Sequence, residues 1–553
     1  MTYVGQGVLG LTNRQLAAGK GTFVADIALP HMAHLAVVRS PHAHARIRSI
    51  DTKAAEAVPG VVCVVTGAEI VANTDPIPPA YDTTAMFAKQ IETYALAIKK
   101  ARYVGEPVAA VVAEDRYTAV KAAALVDVDY EVLPAVTDVD EALKPGSTLV
   151  EESWGDNVLI SRDHVMGEPD ARLREADGIV KGVLQTHRYT GAAIEPRAYL
   201  ATHDPYTNMT TMWACTQSPH PMRCFLAKTL RMRETDLRII QPHVGGAFGL
   251  KLPTFQEEPL IGYLARKLVR PVRWIEERTE SLAVGGHARE ERIRFEAGYK
   301  KDGQVTVVSV HILADIGAPS ALCGWGMSNV TAFCLPTVYE VPDCHVRLHS
   351  VVTNKCPWNA YRGYGKEAAT FVMERIMDLV ADELGMDVSI EMHRDTGTET
   401  PEKTFAIADG YEKATRKKLK MNFDFSHFAL TKGLRPPFFE RLTVRPDLIW
   451  VANQLHLRPF NGHHCQIPVI DHRGAHTPEF TDWLEFVDGL IGLWLQKAAP
   501  GATLWTCPEL IGGAYGLSTF PKNWVQAKVV REELDKIWNR RIRAWKAPAP
   551  ARA

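Results

Sequence analysis

The chain has 553 residues, of which 46% are hydrophobic and 23% charged, and its formal net charge is −1. This length predicts about three domains, and the near-zero charge excludes a global attraction to nucleic acid or to an anionic membrane. The N-terminus lacks the features of a secretory signal, and no apolar run reaches the length of a membrane span. We therefore expect a cytoplasmic protein that binds neither nucleic acid nor membrane.

The nine cysteines are odd in number and contain no C-x-x-C pair. They indicate neither a disulfide framework nor an iron–sulfur or zinc cluster, so reduced and mostly buried thiols are expected.

Residues 1–395 alternate short apolar runs with amphipathic or alanine-rich stretches, which predicts an α/β (α+β) fold. Strands are predicted over 34–39, 61–66, 107–113, 210–215 and 236–241. Helices are predicted over 116–125, 258–267 and 368–384. Turn residues near 144–147 divide a first block, 1–150, from a second, 151–395. The polar segment 396–420 predicts a linker.

The run Gln241-Pro-His-Val-Gly-Gly-Ala-Phe-Gly-Leu-Lys251 is the most informative motif. Glycine permits positive φ and close backbone approach, and a small-residue turn after a strand leaves consecutive N–H groups free to face an anion or an oxo group. Lys251 would add a point charge. The alternative is a turn that only reverses the chain.

Several segments, in matching order and spacing, resemble the large, molybdopterin-binding subunit of the xanthine dehydrogenase/aldehyde oxidase family. The segments are 19–30, 38–46, 103–111, 191–196, 216–219, 241–251 and 359–365. The resemblance implies an α/β hammerhead domain over 1–150 and the first molybdopterin-binding domain over 151–395. It also implies oxidation of an aldehyde or an N-heterocycle, with FAD and 2Fe–2S clusters on partner subunits.

The resemblance assigns roles to individual residues. Gln217 would donate a hydrogen bond to a molybdenum oxygen, and Gly246, Phe248 and Gly249 would bind the cofactor through the turn. Arg362 would contact the cofactor and orient the substrate or stabilise developing negative charge, which suits a permanently charged guanidinium. The structural alternatives are that Gln217 caps a strand end and that Arg362 pairs with a nearby carboxylate.

Three departures from the family pattern narrow the expected chemistry. Leu252 replaces an acidic residue, which disfavours recognition of a purine-like substrate. Gly363 stands where the carbon-monoxide-oxidising branch has a cysteine. No G-x-G-E segment follows residue 395, so the glutamate that acts as base in the family is missing and an incomplete catalytic unit is expected.

Residues 421–541 resemble a different family, the second half of a xylose-isomerase-like sugar phosphate isomerase/epimerase TIM barrel. Strands are predicted over 419–428, 448–456 and 503–509, with a helix over 480–497 and a disordered tail over 542–553. Functional groups at strand ends are where such a barrel places its active site.

By this second resemblance, Asp424, His456 and Glu509 would be ligands of Mn²⁺, Mg²⁺ or Zn²⁺, and His427 a catalytic contact. The family's first glutamate ligand lies on an earlier strand, so three of four ligands are expected. The leading hypothesis is a molybdenum hydroxylase large subunit acting on a small molecule. The alternatives are a metal-dependent sugar isomerase or epimerase carried by the tail, and an inactive fusion protein.

Overall fold

The computed structural model describes residues 10–386, 389–394, 396–511 and 521–547. The chain forms two compact units, here called unit 1 (residues up to 380) and unit 2 (residues from 381). Within the described ranges, no helix combines the length and apolar character needed to cross a membrane.

From residue 10 onward, the described part of unit 1 contains fifteen strands and eleven helices. The strands are β1 Ala33–Arg39, β2 Ala45–Asp51, β3 Val61–Thr66, β4 Lys100–Ala101, β5 Pro107–Ala113, β6 Asp127–Val132, β7 Val158–Met166, β8 Gly178–Gln185, β9 Ala198–Asp204, β10 Met209–Ala214, β11 Leu237–Ile240, β12 Val272–Ile275, β13 Glu291–Tyr299, β14 Val305–Gly317 and β15 Asp343–Val352. The helices are α1 Asn13–Ala17, α2 Lys53–Glu56, α3 Gly67–Asn73, α4 Arg116–Ala123, α5 Val139–Ala142, α6 Pro169–Arg174, α7 Pro219–Thr229, α8 Glu257–Leu268, α9 Arg278–Val284, α10 Met327–Cys334 and α11 Lys366–Glu383.

Three sheets organise unit 1. The seven-stranded sheet has the order β11-β10-β9-β12-β1-β5-β3, the five-stranded sheet β7-β15-β14-β13-β8, and the three-stranded sheet β4-β2-β6. The seven-stranded sheet joins the two predicted blocks, because Ala33 of β1 pairs with Val272 of β12 in parallel. Joining the strands removes two open sheet edges, so blocks expected as separate domains share one core.

The predicted strands of the first block are confirmed, and their burial explains their composition. Every residue of β5 is buried, because β5 lies between β1 and β3 and is covered on both faces. This is why 107–113 is uniformly apolar instead of alternating. The helix that follows is α4, where the Asp115 side chain accepts a hydrogen bond from the Thr118 N–H at 3.0 Å.

Unit 2 contains a four-stranded sheet whose strands are all parallel and lie in chain order. The strands are β16 Ile390–Glu391, β17 Met421–Phe423, β18 Gln454–His456 and β19 Trp505–Cys507. The helices are α12 Pro401–Thr415, α13 Phe425–Thr431, α14 Phe439–Leu442, α15 Pro446–Ile449, α16 Pro478–Leu495 and α17 Asn523–Ala544. Aromatic side chains, including Phe423, Phe428, Phe480 and Trp483, form its core.

The segment 396–420 is not the predicted linker, because it contains α12. The Thr400 side chain accepts a hydrogen bond from the Lys403 N–H at 3.3 Å, and Pro401 occupies the first turn. Thr–Pro at this point is a helix start signal, and the polar residues that suggested a linker cover an exposed helix face. Thr404 and Ala408 are buried on the opposite face.

All three strands predicted in unit 2 are shorter than expected, and 503–509 contains only the strand Trp505–Cys507. Over 448–456, residues 448 and 449 end α15 and only 454–456 form a strand. Over 419–428, the strand ends at Phe423, because the Asp424 side chain caps α13. An apolar run does not distinguish a strand from a short helical turn.

The predicted disordered tail, 542–553, begins inside a helix. Residues 542–544 are the last residues of α17, and the Trp545 Nε1–H donates a hydrogen bond to the Leu495 carbonyl at 2.8 Å. Residues 548–553 lie outside the described residues. The apolar indole therefore continues the packing of the helix beyond its end.

Candidate functional site

The glycine-rich segment after β11 forms an unusual turn. Gly246, Phe248 and Gly249 have φ values of +95°, +56° and +102°. Glycine adopts such values readily, so Gly246 and Gly249 are unstrained. Phe248 at positive φ is strained, and surrounding contacts must stabilise its conformation. Backbone strain of this kind concentrates at functional sites.

Several N–H groups of this turn have no protein acceptor. The Gly245 N–H donates to Glu195 Oε2 at 2.6 Å and the Gly249 N–H to Gln217 Oε1 at 3.0 Å. Among the described residues, none accepts a hydrogen bond from the intervening donors. These donors are the N–H groups of Gly246, Ala247 and Phe248. Three consecutive free donors suit an acceptor-rich ligand.

Gln217 is oriented by the turn. Its backbone N–H donates to the Lys251 carbonyl at 2.8 Å, and its side-chain oxygen accepts from Gly249. A backbone N–H can only donate, so the side-chain atom facing Gly249 is the oxygen and the amide NH₂ points elsewhere. Gln217 therefore holds the turn and keeps two donors for a ligand.

The loop that carries Arg362 packs against the turn. The Asn359 Nδ2–H donates to the Leu250 carbonyl at 2.8 Å. A Cβ added to Gly249 would lie only 3.0 Å from the Ala360 carbonyl oxygen. Glycine at 249 is therefore required both by φ and by this close approach. The structure thus brings the predicted cofactor residues and the Arg362 loop to one place.

Arg289 holds the Arg362 loop, a role the sequence did not reveal. Its guanidinium lies 4.6 Å from the Tyr361 ring centroid and 5.2 Å from the Tyr189 ring centroid. It also pairs with Glu367 and donates to the Arg362 carbonyl. The Arg362 side chain is exposed, and no carboxylate among the described residues pairs with it. Its charge is therefore available to a ligand.

Lys251 does not provide the expected point charge to the turn. Its side chain is 2% exposed, and Nζ lies 3.1 Å from Glu195 Oε2 and 2.7 Å from the Glu195 carbonyl oxygen. The ammonium group is thus neutralised inside the protein. The donors left at the surface are backbone dipoles, the Gln217 amide and the Arg362 guanidinium. This donor set fits an oxo- and phosphate-bearing cofactor such as molybdopterin.

A buried carboxyl group lies beneath the Arg362 loop. Glu291 is 2% exposed, and its Oε1 accepts a hydrogen bond from the Thr331 hydroxyl at 3.0 Å. The same hydroxyl lies 3.2 Å from the Gly365 carbonyl oxygen at the end of the loop. Burial, reinforced by the charge of Glu367, raises the pKa of Glu291 to about 8. The protonated carboxyl is therefore the stable form in the folded protein at neutral pH.

The raised pKa predicts that stability falls as pH rises. The ordinary pKa of glutamate is 4.5, so between pH 4.5 and 8 the folded state holds a proton that the unfolded state has lost. The contribution of this proton to the free energy of unfolding is fully present below pH 4.5. It is lost at up to about 1.4 kcal/mol per pH unit as the pH rises towards 8. We expect Glu291→Gln to flatten the pH dependence of the unfolding free energy, measured by urea denaturation between pH 5 and 8. Equal slopes in variant and wild type would contradict this account.

A second group of functional side chains lies in unit 2, at the carboxyl edge of its sheet. Glu391 ends β16, Asp424 follows β17, His456 ends β18 and Glu509 follows β19. One ligand atom from each lies within 4.8 Å of the other three. Neighbouring parallel strands bring their carboxyl ends to the same edge, which explains the convergence.

Glu391, which was not among the predicted ligands, joins the three predicted ligand residues in this group. Residue 391 was assigned to the end of the molybdopterin-binding block, but β16 pairs with β17 in the sheet of unit 2. The strand has only two residues and therefore no detectable periodicity. The available signal was a possible metal-ligating side chain directly after an apolar residue, as at Phe423-Asp424 and Leu455-His456.

Charge around this cluster is partly balanced by Arg458, which is fully buried. Its Nη2 lies 2.7 Å from Glu509 Oε2 and 3.3 Å from Asp424 Oδ2. The hydrogen bond from His456 lowers the pKa of Glu509 to about 2, and burial raises the pKa of Asp424 to about 6. The third carboxylate, Glu391, lies 2.9 Å from His456 Nδ1, and the hydrogen bond with Glu509 raises the pKa of His456. Three carboxylates still outnumber one guanidinium and one imidazole, which favours a cation.

The predicted catalytic residue His427 lies behind the cluster. Its side chain is fully buried, its Nε2 lies 3.4 Å from Asp424 Oδ2, and its ring centroid is 4.3 Å from that of His393. Burial lowers the pKa of His427 to about 3. In this arrangement a neutral imidazole contacts Asp424.

Comparison with known proteins identifies unit 1. Residues 18–134 match the family model for the aldehyde oxidase and xanthine dehydrogenase a/b hammerhead domain, and residues 150–394 match the model for the molybdopterin cofactor-binding domain. The subunit gamma of the 6-hydroxypseudooxynicotine dehydrogenase complex of Paenarthrobacter nicotinovorans is 34% identical over 390 residues, which are 69% of this chain and 48% of that protein. The nicotine 6-hydroxylase large subunit of the same organism is 34% identical over 385 residues, 68% of this chain and 46% of that protein.

Among solved structures, quinoline 2-oxidoreductase from Pseudomonas putida 86 has a TM-score of 0.66 and 33% sequence identity. The match covers 70% of this chain and 49% of that one. The chain spans about half the length of the curated relatives it matches. Through residues 18–394, the chain therefore belongs to the xanthine dehydrogenase/aldehyde oxidase family of molybdenum-binding large subunits.

Proposed function

We propose that unit 1 binds the molybdopterin cofactor and supplies one part of the active site of a molybdenum hydroxylase. The observation that carries this proposal is the turn at 245–249, whose three free N–H groups lie beside the Gln217 amide. The substrate class we favour is an N-heterocycle. Leu252 places an exposed apolar side chain next to the turn, and relatives are named for nicotine and quinoline. An aldehyde is the second choice.

The residues of this chain would bind the cofactor and stabilise charge on the substrate. The free N–H groups of the turn and the Gln217 NH₂ would hold acceptor atoms of the cofactor, which when bound supplies oxygen transfer and two-electron oxidation. Arg362 would stabilise negative charge on the substrate, because its guanidinium stays charged and presents fixed donors. The Phe248 ring, 46% exposed, would exclude water from one side of the site.

We further propose that electrons leave through FAD- and iron–sulfur-containing partner subunits. Relatives are named as subunits, one of them of a complex. The cysteine spacing of this chain offers no iron–sulfur motif of its own. The family's base is a glutamate in a G-x-G-E segment that does not occur after residue 395 of this sequence, and base catalysis commonly contributes about 10²–10⁴ in rate. We therefore expect turnover from the assembled complex.

Metal and pterin analysis tests this function. The protein, purified from a host that makes molybdopterin, should contain both. Gln217→Ala should lower the molybdenum content severalfold, because two ligand donors and the bond to Gly249 are lost together. Arg362→Leu should retain the metal but, in the complex assembled with its partner subunits, lower kcat/KM for dye-linked oxidation of quinoline by about 10²–10³. Wild-type protein free of molybdenum, from cells whose other molybdenum enzymes are loaded, would refute the proposal.

The four-residue cluster of unit 2 favours a second candidate function, a divalent-cation site. Three carboxylates and one imidazole suit Mn²⁺ or Mg²⁺, and the parallel strands hold them at one edge. Isomerisation or epimerisation of a sugar is the activity that the sequence resemblance suggests for such a site. Calorimetric titration with Mn²⁺ tests the site. Protein that binds neither molybdenum nor Mn²⁺ would support the inactive-fusion alternative.

A further inference from the structure

Glu195 contacts both ends of the glycine turn and belongs to a motif, Ile194-Glu195-Pro196, that has no role in the proposed function so far. We propose that Glu195 is the positioning residue of the turn at 245–251. It would hold the free N–H groups in the orientation that a ligand requires. This inference rests on the proposed function only in assuming that the ligand is molybdopterin.

The hydrogen bonds of Glu195 support this role. Its Oε2 accepts from the Gly245 N–H at 2.6 Å, from Cys215 Sγ at 2.9 Å and from Lys251 Nζ at 3.1 Å. Its backbone N–H donates to the Gly245 carbonyl at 3.0 Å, and its carbonyl accepts from Lys251 Nζ at 2.7 Å. Gly245 and Lys251 lie on either side of the three free donors. One residue therefore fixes both ends of the segment that presents them.

Packing at Gly245 supports the same conclusion independently. A Cβ added at this position would lie 2.6 Å from the Glu195 Cβ, a distance that no side chain tolerates. The turn and Glu195 are thus in direct contact, and glycine at 245 is required by that contact instead of by its φ. The neighbouring Gly246 would place a Cβ 3.5 Å from the Ala193 Cβ, which is ordinary contact.

The residues on both sides of Glu195 are fixed by hydrogen bonds and ion pairs. Arg278 of α9 donates from Nη2 to the carbonyls of Ala193 and Ile194, each at 2.7 Å. Two residues after Glu195, the Arg197 guanidinium pairs with Glu276 at 2.6 Å and with Glu257 at 2.8 Å, and its side chain is 4% exposed. Because its neighbours are fixed, the Glu195 side chain has a defined position and can hold the turn in one orientation.

Glu195 also determines the electrostatics of the turn. By pairing with Lys251 in the interior, it keeps the ammonium group away from the free N–H groups. Without the carboxylate, Lys251 would be a buried unpaired charge, which proteins avoid by moving the side chain or its backbone. Either movement would displace the turn, because the Lys251 carbonyl accepts from the Gln217 N–H.

Hydrogen exchange measured by mass spectrometry tests the proposal without requiring bound cofactor. In Glu195→Gln, we expect the hydrogen-bonded amides of the turn, those of Gly245, Gly249 and Leu250, to exchange at least about tenfold faster than in wild type. A glutamine oxygen can still accept from the Gly245 N–H and from Lys251 at the position of Oε2, but it carries no charge, so the buried ammonium group is no longer neutralised. Molybdenum content per protein, measured on the same preparations, should fall at least about fivefold if the ligand is molybdopterin.

Glu106→Gln is the matched control. Glu106 is 1% exposed and, like Glu195, accepts from a backbone N–H, that of Arg102 at 2.6 Å, and pairs with a cation, the Arg102 guanidinium at 3.0 Å. This variant should lose stability but leave the exchange of 245–251 and the molybdenum content unchanged. If both variants accelerate exchange in the turn equally, Glu195 has only a general structural role and the proposal is overturned.

A second variant keeps the test decisive if Glu195→Gln does not fold. Lys251→Met leaves the carboxylate bond to Gly245 in place but removes the anchor at the other end. We expect faster exchange at Gly249 and Leu250 and unchanged protection at Gly245. Wild-type protection at Gly249 and Leu250 in this variant would overturn the proposal. Wild-type protein without molybdenum would count against the proposed cofactor, whereas unchanged exchange in the Glu195 variant would count against the positioning role.

Discussion

Gly249→Ala is expected to lower the molybdenum content of the purified protein by at least about tenfold. Gly249 has a φ of +102°, which alanine adopts only with strain of about 1–3 kcal/mol. The new methyl group would also lie 3.0 Å from the Ala360 carbonyl oxygen. The turn and the Arg362 loop would therefore separate, and the bond from the Gly249 N–H to Gln217 would be disturbed with them.

Gly146→Ala provides the control for backbone strain alone. Gly146 also has a positive φ, +78°, but a Cβ added there meets nothing within 4 Å. We expect this variant to lose about 1 kcal/mol of unfolding free energy and to retain its molybdenum. A Gly249→Ala protein with the same molybdenum content as wild type would show that the turn does not contact the cofactor.

Asp424→Asn is expected to weaken Mn²⁺ binding by unit 2 at least about 100-fold. The change removes one of three carboxylates from a cluster whose negative charge Arg458 already partly neutralises. Asparagine is as good a helix N-cap as aspartate, so the hydrogen bond from the Ser426 N–H at 3.0 Å should persist. The loss of affinity should therefore occur without loss of α13, and isothermal titration calorimetry with circular dichroism measures both.

Glu479→Gln is the matched control for charge, because Glu479 is an exposed acidic residue at the start of α16 and outside the cluster. It should bind Mn²⁺ like wild type. Wild-type protein should also gain thermal stability with Mn²⁺ and lose that gain with a chelator. Equal affinities for wild type and Asp424→Asn would show that any bound Mn²⁺ lies elsewhere.

Much of unit 1 could be predicted from the sequence, because its signals are local. The valine-rich runs at 61–66 and 107–113 are strands, and the glycine turn has the positive φ values that its composition suggests. The sharing of one sheet by residues on both sides of 150 could not be predicted. Pairing of Ala33 with Val272 leaves no pattern in either segment, because strand partners are selected by tertiary contact.

The predictions for unit 2 depended more on resemblance and failed where elements were short. The strand at 390–391 was too brief to be recognised, and Glu391 was missed with it. The polar segment at 401–415 was interpreted as a linker, although Thr400 and Pro401 marked a helix start. In both places the deciding contacts, pairing with β17 and burial of Thr404, lie outside the segment itself.

By itself, the sequence determined the family of residues 18–394, the glycine turn and three of the four clustered acidic and histidine side chains. Only the tertiary structure decided where charge resides. It buried Lys251 against Glu195, left Arg362 exposed, and brought Glu391 to Asp424, His456 and Glu509. The physical reason is that local propensity acts between near neighbours, whereas the energy of a charge depends on its burial and on partners distant in the chain.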